Sequence, residues 1–254
     1  MKISLSVVII TFNEERNIGR CIDSVRDIAD DIVVIDSFSK DRTKEICLEK
    51  GVRFVEHAFE GHIQQKNFAI TQAAYPHVLS LDADEAPDEI LRESIRKVKE
   101  NFEADGYSMN RLTNYCGHWV RHCGWYPDRK LRLWNSRKGQ WTGLNPHDRY
   151  EMEKGSVISH LPGNLLHYSY YTREDHLKQI QKFTDILAKS MYDAGRRTSW
   201  PGIIAATVFK FIRDYILKLG ILDGKAGFTI SWLSAGASFK KYRKLLLLQK
   251  NKSK

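Results

Sequence analysis

The sequence predicts an α/β fold built on a doubly wound, mostly parallel sheet, and three observations carry that prediction. Short apolar, β-branched runs alternate with helix-period segments over the first hundred residues. The strand-like runs are almost continuously apolar, as buried parallel strands are. Two carboxylates, Asp82 and Asp84, directly follow the run Leu79-Ser80-Leu81. They fall at the carboxyl end of a strand, where open α/β sheets bind ligands.

Leu5 to Phe12 reads as the first buried strand, broken by Asn13-Glu14-Glu15. Ile18, Cys21, Ile22 and Val25 then recur at the spacing of one helical face. Asp31 to Asp36 is a second strand. Asp41 is expected to cap a helix running to Lys50, with Gly51 just beyond its end. Val52 to Val55 is a third strand and Ile63 to Ala74 a further helix. Val78 to Leu81 is the strand feeding the carboxylates. Pro87 is expected in the first turn of a helix with Ile90, Leu91, Ile95 and Val98 on one face.

From about Gly106 the texture changes, with aromatics, histidines and arginines crowded between Tyr115 and Trp134. Leu131 and Leu133 alternate with Lys130 and Arg132, which predicts a strand with one wet face. Thr172 to Met191 is helical, with Leu177, Ile180, Thr184, Leu187 and Met191 in a stripe. Three parts are therefore expected: a ligand-binding half over 1–105, a second half over 106–195, and a basic, aromatic, helical extension over 196–254.

The net charge of +9 and pI near 9.3 call for an anionic partner. Residues 196–254 carry thirteen lysines and arginines against Asp214 and Asp223. Their uncharged stretches, 200–209 and 226–239, fall short of the ~18–20 apolar residues of a membrane span. They suit an interfacial anchor on anionic lipid, with Trp200, Phe209, Phe211, Tyr215, Phe228, Trp232 and Phe239 at the headgroups. A solvated basic face is the alternative. Met1-Lys2-Ile3-Ser4 has no signal-peptide pattern and four cysteines make no disulfide scaffold, so a cytoplasmic setting is expected.

Alternate side chains of an extended segment point the same way, so Asp82 and Asp84 are expected to converge on one site. Hard oxygen donors suit Mg2+ or Mn2+ with substrate phosphates completing the shell. There is no G-x-G-x-x-G after the first strand and no P-loop, which argues against dinucleotide or P-loop chemistry. Cys116, His118, His122 and Cys123 are off the spacing of structural zinc sites.

Four segments stand in fixed order: T-F-N-E-E at 11–15, V-I-D-S-F-S-K-D-R-T at 34–43, Q-Q-K-N at 64–67 and L-D-A-D-E at 81–85. Over about residues 4–105 the chain resembles the nucleotide-sugar-binding half of family 2 glycosyltransferases, which have the GT-A fold. The second half is similar to bacterial lipopolysaccharide core glucosyltransferases, through G-W-Y-P-D-R-K-L-R-L-W at 124–134, N-P-H-D-R-Y at 145–150 and L-L-H-Y-S-Y at 165–170.

The resemblance implies an inverting transfer from a UDP-sugar, glucose first, to a lipid-linked core saccharide at the inner membrane face, with a divalent metal. It places Thr11, Asn13 and Glu14 around the uridine and Asp36 at the uracil. Lys40 and Asp41 fall near the nucleotide loop and Lys66 near the base or diphosphate, with a plain surface lysine as its alternative. Asp82 falls at the ribose or a metal-bound water, and Asp84 on the metal. His167 is a further metal ligand or a core histidine. Inversion requires a base on the acceptor side. Asp148, after turn-forming Asn145-Pro146-His147, is the first choice; related enzymes commonly carry His-Glu here, so the shorter Asp is a departure. Asp128 is the alternative, unless it pairs with Arg129 or Arg132. A capsule or other lipid-linked acceptor is the nearest rival. A sugar-1-phosphate nucleotidyltransferase should carry a Gly-rich basic loop where T-F-N-E-E stands. A nucleic-acid-binding protein leaves the acidic motifs without purpose, so no nucleic acid is expected.

Overall fold

The structure, a computed structural model, describes residues 1–144 and 147–251. Asn145 and Pro146, the expected turn before Asp148, lie outside the described residues, as do Lys252 and Lys254 of the basic end. The chain divides into two compact units, Met1–Arg111 with Asp128–Tyr168, and Leu112–Pro127 with Ser169–Lys254.

The first unit opens with strands β1 (Leu5–Thr11), β2 (Asp31–Asp36), β3 (Arg53–Glu56) and β4 (His77–Asp82), parallel and in the order β3-β2-β1-β4. Helices α1 (Ile18–Val25), α2 (Thr43–Glu49) and α3 (His62–Thr71) join them, and α4 (Glu89–Glu100) follows β5 (Glu85–Pro87). Alternate residues of β1 divide between two apolar layers, as helices on both faces of a sheet require. Leu5, Val7 and Ile9 pack with Ile18, Ile22, Val25 and Ile95, whereas Val8 packs with Val33, Ile35, Val78 and Ala69.

Beyond β4 the sheet continues through β8 (Asp128–Asn135), β6 (Gly106–Tyr115), β11 (Ile158–Tyr170) and β5, with the short β7 (His118–Trp119) beside β6. The β4–β8, β6–β8 and β5–β11 pairs are antiparallel. A separate antiparallel ribbon, β9 (Gly139–Leu144) and β10 (His147–Met152), carries Trp141 and Tyr150 onto Trp134. Trp134 stacks on Tyr150 with ring centroids 3.7 Å apart.

Several sequence expectations shift. Asp41 acts one residue ahead of the α2 N-cap, Arg42, and its Oδ1 accepts from both the Thr43 amide and hydroxyl. Pro87 lies in β5 rather than a first helical turn, and Asp88 caps α4 by accepting from the Leu91 amide at 2.8 Å. The chain turns at Ala83-Asp84 between β4 and β5, so one extended face does not deliver both carboxylates. The wet face expected of β8 fails at Arg132, which is only 3% exposed.

The second unit contains α5 (Arg173–Asp193), α6 (Trp200–Ile212) and α7 (Gly224–Asn251), with α7 packed against both others. Thr172 opens α5 with a capping box closed by Asp175. Tyr115, Trp125, Tyr170 and His176 form an aromatic cluster, and burial lowers the His176 pKa to about 4. His118 and His122 both meet the buried Asp223 carboxylate. Among the described residues no three His, Cys, Asp or Glu side chains gather as a metal cage.

Candidate active site

Strand register sets the site. Thr11 is level with Asp36, and Ile10 with Asp82, so the carboxyl ends of β1, β2 and β4 form one edge. The loops after β1 and β2 are laced together there. Asn13, at φ +53, donates its amide to Ser39 Oγ, and its Oδ1 accepts from the Lys40 amide. The Glu14 amide donates to Thr43 Oγ1, the Glu15 amide to Asp41 Oδ2, and the Arg42 amide to Glu15 Oε2. Asn13 tolerates the left-handed conformation better than most residues.

Asp36 is buried, and its two oxygens accept from the Ser39 amide at 2.7 Å and the Ser39 hydroxyl at 2.5 Å. Each oxygen keeps acceptor capacity for a further donor. Thr11 Oγ1 is buried without a hydrogen-bond partner among the described residues. The Lys40 side chain is exposed.

Each residue of the Gln65-Lys66-Asn67 segment of α3 has a distinct partner. Gln65 bonds His57 Nδ1 at 2.8 Å and donates to Ser37 Oγ at 3.1 Å. Asn67 exchanges two hydrogen bonds with the Trp141 backbone, fixing β9 against α3. Lys66 is buried, not a surface lysine. Its ammonium lies 3.2 Å from Asp82 Oδ1 and 2.8 Å from Asp148 Oδ2, and 4.5 Å from the Trp141 ring centroid.

From Asp82 the charge alternation continues. Arg132 Nη2 is 2.9 Å from Asp82 Oδ2 and 2.6 Å from Glu85 Oε1. Glu85 Oε2 also accepts from the Asp82 amide at 3.0 Å, which braces the turn. Arg111 lies 3.7 Å from Glu85 and 2.8 Å from Asp128, and Lys130 is 3.0 Å from Asp128. A single ladder therefore runs Asp148–Lys66–Asp82–Arg132–Glu85–Arg111–Asp128.

Burial opposes the charge on Asp82, but Lys66 and Arg132 outweigh it and hold the carboxyl far below the usual range. Burial likewise opposes the Arg132 charge, and Glu85 and Asp82 outweigh it, raising the guanidinium pKa. Arg132 Nε and Nη1 are buried and make no hydrogen bond among the described residues.

Asp84 stands apart from that ladder. Its Oδ2 is 3.1 Å from His167 Nε2, and its backbone oxygen accepts from the Tyr168 amide at 2.9 Å. Burial disfavours protonated His167, yet Asp84 more than compensates and the imidazole pKa is raised. Glu14 is pushed up to about 7, mainly by burial, with Asp84 adding to the shift against the Asn17 hydrogen bond.

The expected residues thus fall into three groups. Asp82, Lys66, Asp148 and Asp128 belong to one ladder, Asp84 and His167 form a pair, and Asn13 and Asp41 lace the loops after β1 and β2. Arg132, Glu85 and Arg111 are the additions. In the sequence Arg132 stands between Leu131 and Leu133 and Arg111 beside Leu112, basic residues next to apolar strand positions, and Glu85 closes L-D-A-D-E.

The model of Glycosyl transferase family 2 matches residues 6–157. The chain belongs to glycosyl transferase family 2. The matched span of this family 2 glycosyltransferase includes the whole charge ladder. The lipopolysaccharide core biosynthesis glycosyltransferase LpsC of Rhizobium meliloti is 26% identical over 95% of this chain and 94% of its own length. An uncharacterized glycosyltransferase of Rickettsia bellii is 28% identical over 95% and 85%. Among solved structures, glucosyl-3-phosphoglycerate synthase of Mycobacterium tuberculosis, crystallised with Mn2+, UDP and glucosyl-3-phosphoglycerate, aligns at 21% identity with a TM-score of 0.38. That alignment covers 44% of each chain.

Proposed function

We propose that this glycosyltransferase moves a hexose, glucose first, from a UDP-sugar to a lipid-linked lipopolysaccharide core saccharide, with inversion and with a divalent metal. One observation carries the reading. The buried Lys66 ammonium bridges Asp82, at the end of a donor-side strand, and Asp148, on the acceptor-side ribbon. A cation beside both carboxylates stands where a nucleoside diphosphate and an acceptor hydroxyl would meet.

The transfer is a displacement at the anomeric carbon. The acceptor oxygen forms a bond to that carbon while the bond to the diphosphate oxygen breaks, and the electron pair leaves with UDP. Asp148 takes the hydroxyl proton; Oδ2 contacts Lys66, leaving Oδ1 for this role. Asp128 is held by Arg111 and Lys130, which supports a structural part instead.

On the donor side, the unpartnered Thr11 hydroxyl and the residual acceptor capacity of Asp36 suit a uridine, whose imide N–H can donate. Asn13, Lys40 and Asp41 shape the loop around it, and Glu14 lies beside Asp84. The carboxylate and imidazole of Asp84 and His167, 3.1 Å apart, would be the residues that hold Mg2+ or Mn2+. Such an ion would supply positive charge against the charge developing on the leaving diphosphate. LpsC is named for lipopolysaccharide core biosynthesis, which favours a core saccharide over a capsule acceptor. A lipid-linked acceptor places the enzyme peripherally at the cytoplasmic face of a membrane. No helix of the described residues is long and apolar enough to cross one.

Asp148→Asn should keep UDP-sugar affinity and lower kcat by about a hundredfold, roughly 2.7 kcal/mol in barrier. Titration calorimetry with UDP and initial rates of UDP release check this. Near-normal turnover in Asp148→Asn, with collapse in a folded Asp128→Asn, would move the base to Asp128.

A further inference from the structure

Both carboxylates of residues 196–254 are inside the second unit. Asp214 is 1% exposed and pairs with Lys210 and Arg213, and Asp223 is 6% exposed and held by His118 and His122. The charge this region presents to solvent is therefore positive only.

Beside that charge, the bend linking α6 to α7 exposes an apolar cap. Ile216, Leu217, Leu219, Ile221 and Leu222 are each more than half exposed, and Lys218 stands among them. Ile204 and Val208 on α6 and Trp232 on α7 are also more than half exposed. In contrast, three of the aromatics expected at a lipid interface are half-buried: Phe211 packs on Tyr215 and Phe228, and Phe239 lies by Trp200.

The bend is built to hold these side chains outward. Lys218 accepts at its carbonyl from the Cys123 amide at 3.0 Å, and its amide donates to the Arg213 carbonyl at 2.7 Å. Leu219 takes φ +54, and Gly220 is buried where a Cβ would come within 2.6 Å of the Asp214 carbonyl. Asp223 fixes the far side by accepting from the Arg121 and His122 amides. The backbone is anchored inward while the large apolar side chains face water, an arrangement that marks an interaction surface.

We propose that the 213–225 bend is a wedge that enters the headgroup and upper acyl region of an anionic bilayer, with the exposed Lys218 and Lys225 against lipid phosphates. This rests on the peripheral-membrane reading and names the element that inserts, which is the bend rather than the lysine-rich end of α7. Charge decides the partner. A second copy of this face would bring positive charge against positive charge, whereas an anionic bilayer satisfies both the cations and the apolar cap.

Full-length protein should float with vesicles of phosphatidylglycerol and phosphatidylcholine at low salt, and at least tenfold less with phosphatidylcholine alone. Leu217→Asp with Leu222→Asp, both at exposed positions, should weaken binding to the anionic vesicles at least tenfold, with the thermal unfolding midpoint little changed. Lys240→Gln with Lys250→Gln should weaken it far less. On the wild-type chain, hydrogen exchange should show vesicle-dependent protection concentrated in peptides spanning 213–225, a readout that holds even if the double Asp variant folds poorly. Wild-type flotation unaltered by the double Asp change, with protection confined to the end of α7, would overturn the wedge and leave the membrane reading standing. No wild-type flotation with anionic vesicles would overturn both. A dimer abolished by the double Asp change, without flotation, would assign the cap to self-association instead.

Discussion

Arg132→Ala should destabilise the folded chain by about 3–5 kcal/mol, measured as a shift in the urea unfolding midpoint at unchanged slope. Glu85 has no exposed side-chain surface and Arg132 is its closest cation, with Asp82 sharing the same nitrogen. Removing the guanidinium leaves two carboxylates facing each other near the bottom of the site with Lys66 alone beside Asp82. The origin of the loss can be isolated. If it is uncompensated charge, Arg132→Ala combined with Glu85→Gln should recover part of the stability, giving a coupling energy well outside additivity. If it is only lost packing, the double variant should be as unstable as the sum of the singles.

Asp84→Ala should lower kcat by more than a hundredfold, on the order of 3 kcal/mol, while leaving the fold intact. Asp84 lies outside the buried ladder and is 22% exposed, with His167 as its ion-pair partner, so its loss does not strand a fully buried charge. Chelation of the wild-type enzyme should reproduce the defect, and Mn2+ or Mg2+ should restore the wild type but not the variant. His167→Ala should raise the metal concentration needed for half-maximal activity. Turnover of the wild type in excess chelator at its ordinary rate would remove the metal from the account.

The parallel-sheet architecture of the first hundred residues is legible in the sequence because its signals are local. Apolar runs end at Thr11, Asp36 and Asp82, and the register of three parallel strands turns those ends into one edge. What escapes is set by pairing across distant segments. The D-x-D carboxylates read as one strand face because alternation is the default for extended residues. The turn at Ala83-Asp84 instead sends Asp82 to Lys66 and Arg132, and Asp84 to His167 on β11. Arg132 reads as solvated because a strand period cannot show that β8 lies directly beside β4, where the outward-looking position of one strand meets the acidic end of another. Lys66 is ambiguous for the same reason: only the docking of β9 and β10 on α3 encloses it. In the C-terminal region the aromatic residues stand out in the sequence, while the exposed aliphatic bend at 216–222 does not. Helix packing half-buries Phe211 and Tyr215, and the anchored backbone turns Leu217 and Leu222 outward.

The most direct test of a UDP-sugar transferase centred on this ladder and the Asp84–His167 pair is nucleotide release from a donor panel. UDP-glucose, UDP-galactose, GDP-mannose and a CMP-sugar would be presented to wild-type and Asp84→Ala enzyme, each with and without a purified core saccharide. The expected result is saturable UDP release from a UDP-sugar that requires the saccharide and falls more than a hundredfold in Asp84→Ala. Equal release by both enzymes, or saccharide-dependent turnover of only the GDP- or CMP-sugar, would contradict it.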